Sequence, residues 1–186
     1  MASKENSFFL GMENGIAKAD MVDNQYFTTS TDVSSYTDIP RGRLLRIKSV
    51  QWRFTTASNE PLNPQCATQK AVYSEMDISY HLSTARKDYP VSLADTNVVS
   101  SGIIYYLADH AQDVWLDVIN ADDATPDNFE DGFICASDNL YLSWQTENFD
   151  VAAHGLKISA QLECEVTTIN RSQALAIAIA QATSSG

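Results

Sequence analysis

The sequence predicts an all-β fold, an antiparallel sandwich or barrel. Three observations predict it. Apolar and polar residues alternate with period two in several segments. The stretches between those segments are rich in Asn, Asp, Pro and Ser, the residues of turns and loops. The cleanest segment is apolar on one face only, as in a sheet with one face in water.

Residues 1–24 are polar with scattered apolar positions (Phe8, Phe9, Leu10, Ile16), which predicts an N-terminal arm that orders only against a neighbour. Around Tyr26 to Ser30 the pattern predicts a weak, Thr-rich strand. Residues 43–56 form a longer one whose apolar phase flips: Leu45 and Ile47 share one face, Val50, Trp52 and Phe54 the other. A β-bulge does this, as does a strand crossing between two packing environments. Met76, Ile78, Tyr80 and Leu82 alternate with Asp77, Ser79, His81 and Ser83. Ile103 to Leu107 is wholly apolar and predicts a strand buried on both faces. Val114 to Ile119 and Phe133 to Ala136 are shorter strands, and Asp138-Asn139 is a tight turn into Leu140, Leu142 and Trp144. The long alternation from Leu156 to Thr167 puts Leu162 and Cys164 on the apolar face and Glu163 and Glu165 on the wet one. A helix there would set Glu163 and Val166 on one stripe. About eight strands result, so the predicted sandwich spans 25–170.

Residues 171–182 (RSQALAIAIAQA) are Ala-rich, with Asn170 or Ser172 placed to cap a helix on which Leu175, Ile179 and Ala182 share a face. The Ala/Ile alternation at 176–180 also fits a strand. Helix is the favoured reading, so 171–186 is predicted as a C-terminal helix and tail that needs a surface to dock on.

The chain has 186 residues, the size of one domain with appended arms, and 44% of them are hydrophobic, which excludes a wholly disordered chain. Its formal charge of −12 is segregated. Residues 1–93 carry 10 Lys/Arg against 10 Asp/Glu, and residues 94–186 carry 2 against 14, so the excess lies in the second half. Such a chain is not expected to bind nucleic acid strongly, because binding polyphosphate relies on a basic footprint. The longest apolar run near the N-terminus, Phe8-Phe9-Leu10, is too short for a secretory leader, and no run approaches a membrane span, so synthesis in the cytosol is expected.

Cys66, Cys135 and Cys164 are odd in number and lack a CxxC, so they read as small buried hydrophobes. GxSxG, HExxH, P-loop and GxGxxG motifs are all missing, and no catalytic residue or cofactor is assigned. His81, His110 and His154 are far apart. His110 with Asp109, Asp113 and a hydroxyl such as Ser100 reads as loop polarity before it reads as a triad. Asp122, Asp123, Asp127, Glu130 and Asp131 cluster in one acidic loop; they are weak candidates for a structural Ca²⁺, against the plainer reading of a solvated loop, and the EF-hand spacing is missing. The one basic run, PRGRLLRIK (Arg41, Arg43, Arg46, Lys48, then Arg53), reads best as an intersubunit partner for the acidic second half, which would let copies meet through unlike surfaces. Tyr73, Tyr105, Tyr106, Trp115 and Tyr141 could stack sugar rings, or fill a core or interface.

The layout resembles that of single jelly-roll capsid proteins of icosahedral viruses. The carrying segments are the polar N-terminus, RGRLLRIKSVQWRFTTA, the pair DGFICASDNLYLSWQTEN and HGLKISAQLECEVTTI, and the short helix that follows. The closing pattern is similar to small capsid subunits of tailless double-stranded DNA phages and archaeal viruses. The resemblance implies an eight-stranded jelly roll of two four-stranded sheets, self-assembly into an icosahedral shell with copies of itself and other virion proteins, no enzymatic activity, synthesis in the host cytoplasm and location in the virion. It departs in one respect. Residues 1–40 hold only Lys4 and Lys18 against six acidic residues, so such a subunit would not condense the genome; other components or an underlying membrane would lie beneath it. The expected subunit-interface residues are Phe8, Phe9, Arg41, Arg43, Arg46, Leu175 and Ile179. The competing reading is a carbohydrate- or ligand-binding β-sandwich.

Overall fold

The structure is a computed structural model that describes residues 7–22, 24–59, 73–89, 95–109, 114–118, 132–147 and 155–183. Among these residues the chain runs through β1 (Phe8–Ile16), β2 (Tyr26–Asp32), β3 (Arg43–Thr56), β4 (Tyr73–Ser83), β5 (Val98–Asp109), β6 (Val114–Val118), β7 (Phe133–Cys135), β8 (Asn139–Glu147), β9 (Leu156–Thr168) and α1 (Arg171–Thr183). Sheet A has the order β1-β9-β3-β7 and sheet B the order β2-β8-β4-β5-β6, with antiparallel pairing throughout.

Without β6, an extra strand on the edge of sheet B, the rest pair first with last, second with second-last, and so inward: β1 with β9, β2 with β8, β3 with β7, β4 with β5. That is one long antiparallel ribbon wound over itself into two facing sheets. The chain is a jelly roll.

The ribbon's outermost strand lies within the segment expected to be an arm. Residues 8–16 are the edge strand of sheet A, paired with β9 from Phe8↔Cys164 to Ile16↔Leu156. Phe8, Leu10, Met12 and Ile16 face inward with period two, but Asn14 occupies an inward position and Phe9 an outward one, which disguises the alternation. The phase flip in β3 is a bulge, the first of the two expected causes: Ile47 pairs with Cys164 and Val50 with Leu162, so the register shifts around Lys48 and both apolar sets face the core. The wholly apolar run in β5 is not buried on both sides at its start. Ile104 is buried, whereas Ile103 is 37% exposed because it lies on the outer face of sheet B.

The space between the sheets is filled mainly by Leu, Ile and aromatic side chains. Trp144 is fully buried with its ring 4.5 Å from that of Phe27. Trp52 packs on Tyr80 at 4.7 Å and donates its indole N–H to Ser100 Oγ at 2.9 Å. Cys135 and Cys164 are free thiols in this core, and burial pushes them up to about 11 and about 12. Cys66 lies outside the described residues.

α1 covers one end of the outer face of sheet A. The side chain of Asn170 caps it, accepting from the Gln173 N–H at 2.9 Å. Ala174 and Ile177 dock against Leu44, Ile134 and Ala136 in a second small core. The turn that brings β3 under the helix passes through Gly42, whose φ of +72° suits glycine and where a Cβ would strike the Ile169 carbonyl oxygen. At the far end of α1, Gln181 acts on the β7 edge as a strand would: its Nε2 donates to Ile134 O at 2.8 Å and its Oε1 accepts from Ala136 N–H at 3.0 Å. Gln181→Ala is expected to cost about 1–3 kcal/mol in urea unfolding, because it strands a buried backbone N–H. Hydrogen exchange at the Ala136 amide should rise in parallel; unchanged exchange there would refute the strand-mimic role.

Candidate functional site

The seven expected interface residues separate in the structure. Arg46 is used inside the subunit. Its guanidinium lies 2.8 Å from Glu165 Oε1 and donates to Thr167 at 3.3 Å, while Lys48 reaches Glu165 Oε2 at 2.8 Å. Glu165 sits directly across the β3–β9 pair from Arg46 and is buried, so two cations on it compensate a desolvated carboxylate. Phe8 is likewise internal: it faces the core and stacks on Tyr36 at 4.8 Å. Arg41 is exposed beside Asp38 at 3.4 Å, and Arg43 is exposed at the start of β3. Phe9 on the outer face of sheet A is 63% exposed, and Leu175 and Ile179 on α1 are 52% and 54% exposed. The helix face expected to dock, Leu175 with Ile179 and Ala182, is therefore the outward one, and Ala174, Ile177, Ala178 and Gln181 make the docked face.

A groove of about 610 Å³ lies on the outer face of sheet A, across β1, β9 and β3. Register makes it. Gly11, Gln161 and Gln51 stand side by side in one cross-strand row, and Glu13, Ser159 and Arg53 in the next. The space over Gly11, where a Cβ would meet nothing within 4 Å, keeps one end of the groove open. Sequence reasoning placed Gln161 and Ser159 on a wet face but could not put them beside Gln51, since only strand register does so.

The outer face of sheet B carries a sealed polar layer. Segments 84–89 and 95–97 lie over it and reduce His81, in the middle of β4, to 2% exposure. Tyr26 hydroxyl lies 2.8 Å from His81 Nε2, and Ser143 Oγ 3.1 Å from Thr28 Oγ1. Lys87, itself buried, pairs with Asp95 at 2.9 Å, and Thr84 Oγ1 bonds Asn97 Oδ1 at 3.1 Å. Burial and then the nearby Lys87 charge pull His81 down to about 4, with Asp95 opposing. Burial pushes Tyr26 up to about 12. Burial works to raise Asp95, but the Asn97 backbone N–H and the Lys87 ammonium outweigh it and hold the carboxyl below its usual range. His81 and Ser143 are both closed to solvent, and the layer ties the β4–β5 connection to the sheet.

His110, His154 and the five acidic-loop residues Asp122, Asp123, Asp127, Glu130 and Asp131 lie outside the described residues, as do the side chains of Tyr73, Tyr105, Tyr106 and Trp115. Tyr141 is half-buried on the outer face of sheet B. Among the described residues no group of three or more His, Cys, Asp or Glu is placed to hold a metal ion, and no helix is long and apolar enough to cross a membrane.

No family model and no curated protein matches the sequence. Solved structures similar to it include VP1 of Trichodysplasia spinulosa-associated polyomavirus in complex with sialylated precision glycooligomers, at 9% identity over 91% of this chain and 98% of that one, with a TM-score of 0.49. VP1 of Merkel cell polyomavirus, as an unassembled pentamer, follows at 6% identity, 91% and 98% coverage and a TM-score of 0.48. A structure of Desmodium yellow mottle tymovirus has 10% identity, 91% and 92% coverage and a TM-score of 0.34. The strand order assigns the jelly roll by itself.

Proposed function

We propose that the chain is a virion structural protein, a jelly-roll shell subunit that assembles with copies of itself and with other virion proteins. The jelly roll narrows the field, since it is an architecture of viral capsid domains, lectins and cupins. Fold alone does not choose among them. The observation that carries the reading is α1. It has no charged residue after Arg171, one apolar face docks on sheet A, and the opposite face still presents Leu175 and Ile179 to solvent. A helix apolar on both sides suits a position between two protein surfaces, and a second copy is the partner this reading assigns. The acidic first 40 residues support a shell whose genome is neutralised by other components or separated by a membrane.

Electron microscopy and sedimentation velocity of the expressed chain test the proposal. Multimers or particles are expected. The double variant Leu175→Glu, Ile179→Glu should keep the wild-type circular dichroism and thermal midpoint while shifting the population to monomer. A wild-type chain that stays monomeric across salt and pH, alone and with co-expressed virion proteins, would overturn it.

A further inference from the structure

The outer face of sheet A is the least acidic surface the register defines on a chain of net charge −12. It carries Arg46, Lys48, Arg53 and Lys157 against Glu13, Glu163 and Glu165. Most of these charges are matched internally. Arg46 and Lys48 share Glu165, and Lys157 lies 3.7 Å from Glu13. Arg53 is exposed and has no carboxylate partner among the described residues. Beside it in the groove, the side chains of Gln51, Gln161 and Ser159 make no hydrogen bond among the described residues. Over a width of two strand spacings, about 10 Å, the groove thus offers one unmatched cation and three neutral hydrogen-bonding groups, with the Glu13 carboxylate, which Lys157 partly neutralises, at its β1 side.

We propose that this groove receives the acidic 119–131 stretch of a second copy of the chain, an assignment that rests on the assembly reading above. The complement is in the sequence. That stretch holds Asp122, Asp123, Asp127, Glu130 and Asp131 with no Lys or Arg, so it cannot neutralise itself. A carboxylate on Arg53 forms a charge-assisted pair, and the two glutamine amides can each donate to and accept from the backbone of an extended segment, as Gln181 does for β7 in the same fold. Three extended residues cover about 10 Å, enough to cross from β3 to β1. The contact is heterologous, groove to loop, and differs from the α1 face.

The probe is a fluorescein-labelled peptide of residues 119–131 titrated into the full-length chain and followed by anisotropy. Saturable binding is expected, weakening as salt rises from about 50 to about 500 mM. Arg53→Glu should weaken it by at least about tenfold, the loss of one charge-assisted pair, while Arg41→Glu, an exposed cation outside the groove, should leave it unchanged. The same peptide carrying Asp122→Asn, Asp123→Asn, Asp127→Asn, Glu130→Gln and Asp131→Asn should not bind. Equal binding to wild type and Arg53→Glu, or no binding to either, overturns the proposal. Sedimentation of the same proteins separates it from the assembly reading. If Arg53→Glu assembles as wild type does, the groove assignment falls and assembly stands. If Arg53 is needed for peptide binding by a chain that stays monomeric, the groove belongs to the chain's own loop and the intersubunit assignment falls.

Discussion

Leu162→Asp is expected to cost on the order of 4 kcal/mol, a large share of the roughly 5–15 kcal/mol that holds an ordinary domain folded. Leu162 is fully buried on the inner face of β9, between Leu10 of β1 and Val50 of β3. Among the described residues no cation lies in the core beside it, so a carboxylate there must be desolvated, protonate, or open the sandwich. Glu163→Gln, one residue on, faces outward and should change stability by no more than about 0.5 kcal/mol. Urea denaturation of the two variants makes the comparison. Equal losses would mean that the inward and outward faces of β9 are wrongly assigned, and sheet A with them.

The second large effect is acid lability. His81 titrates at about 4 in the fold against 6.5 in an unfolded chain. Between those values the unfolded chain binds a proton that the fold excludes, so stability falls as pH drops from 6.5 to about 4. The full difference is roughly 3 kcal/mol at the acid end. Asp95 adds to this at lower pH. Its folded value is depressed, so its contribution, present above the unfolded carboxylate value, is lost as pH falls through the folded one. Tyr26 sets the alkaline limit: its neutral form is the buried one, so stability declines as pH rises from 10.0 towards about 12. Urea midpoints measured from pH 7 to pH 4 should fall steeply for wild type and much less for His81→Gln. A His81→Gln variant with the wild-type slope would place the acid sensitivity elsewhere.

Much of the fold was legible in the sequence because its strands are amphipathic. β9 and β8 alternate cleanly, and the bulge in β3 was visible as a change of phase, since one extra residue moves every later side chain to the other face. β1 was not legible for a local reason: Asn14 sits inward and Phe9 outward, so the period-two signal fails at two of nine positions. The helix was legible, but its docked face was not, because two of its three large apolar residues, Leu175 and Ile179, face outward while Ala174, Ile177 and Gln181 sit against the sheet. The surface was the least legible. Arg46 and Glu165 come from distant parts of the chain, as do Gln51 and Gln161, and only the β3–β9 register makes them neighbours. His81 alternates as an outward residue and is outward, yet it is buried because segments of the β4–β5 connection lie over it.

The winding that pairs first strand with last also sets an order of events. β4 and β5 are neighbours in sequence and can pair as soon as both exist, so sheet B has a local nucleus. In sheet A, β9 lies between β1 and β3 and bonds to both, and β9 is the last of the described strands to be made. At about 5–20 residues per second of synthesis, β1 waits on the order of 10 seconds for β9, the only strand it pairs with among the described residues. Closure across nearly the whole chain is slow in topologies of this kind. Sheet A, its groove and the seat of α1 therefore come into being only after β9 has left the ribosome, and until then a growing chain lacks both of the surfaces assigned here to contacts between copies.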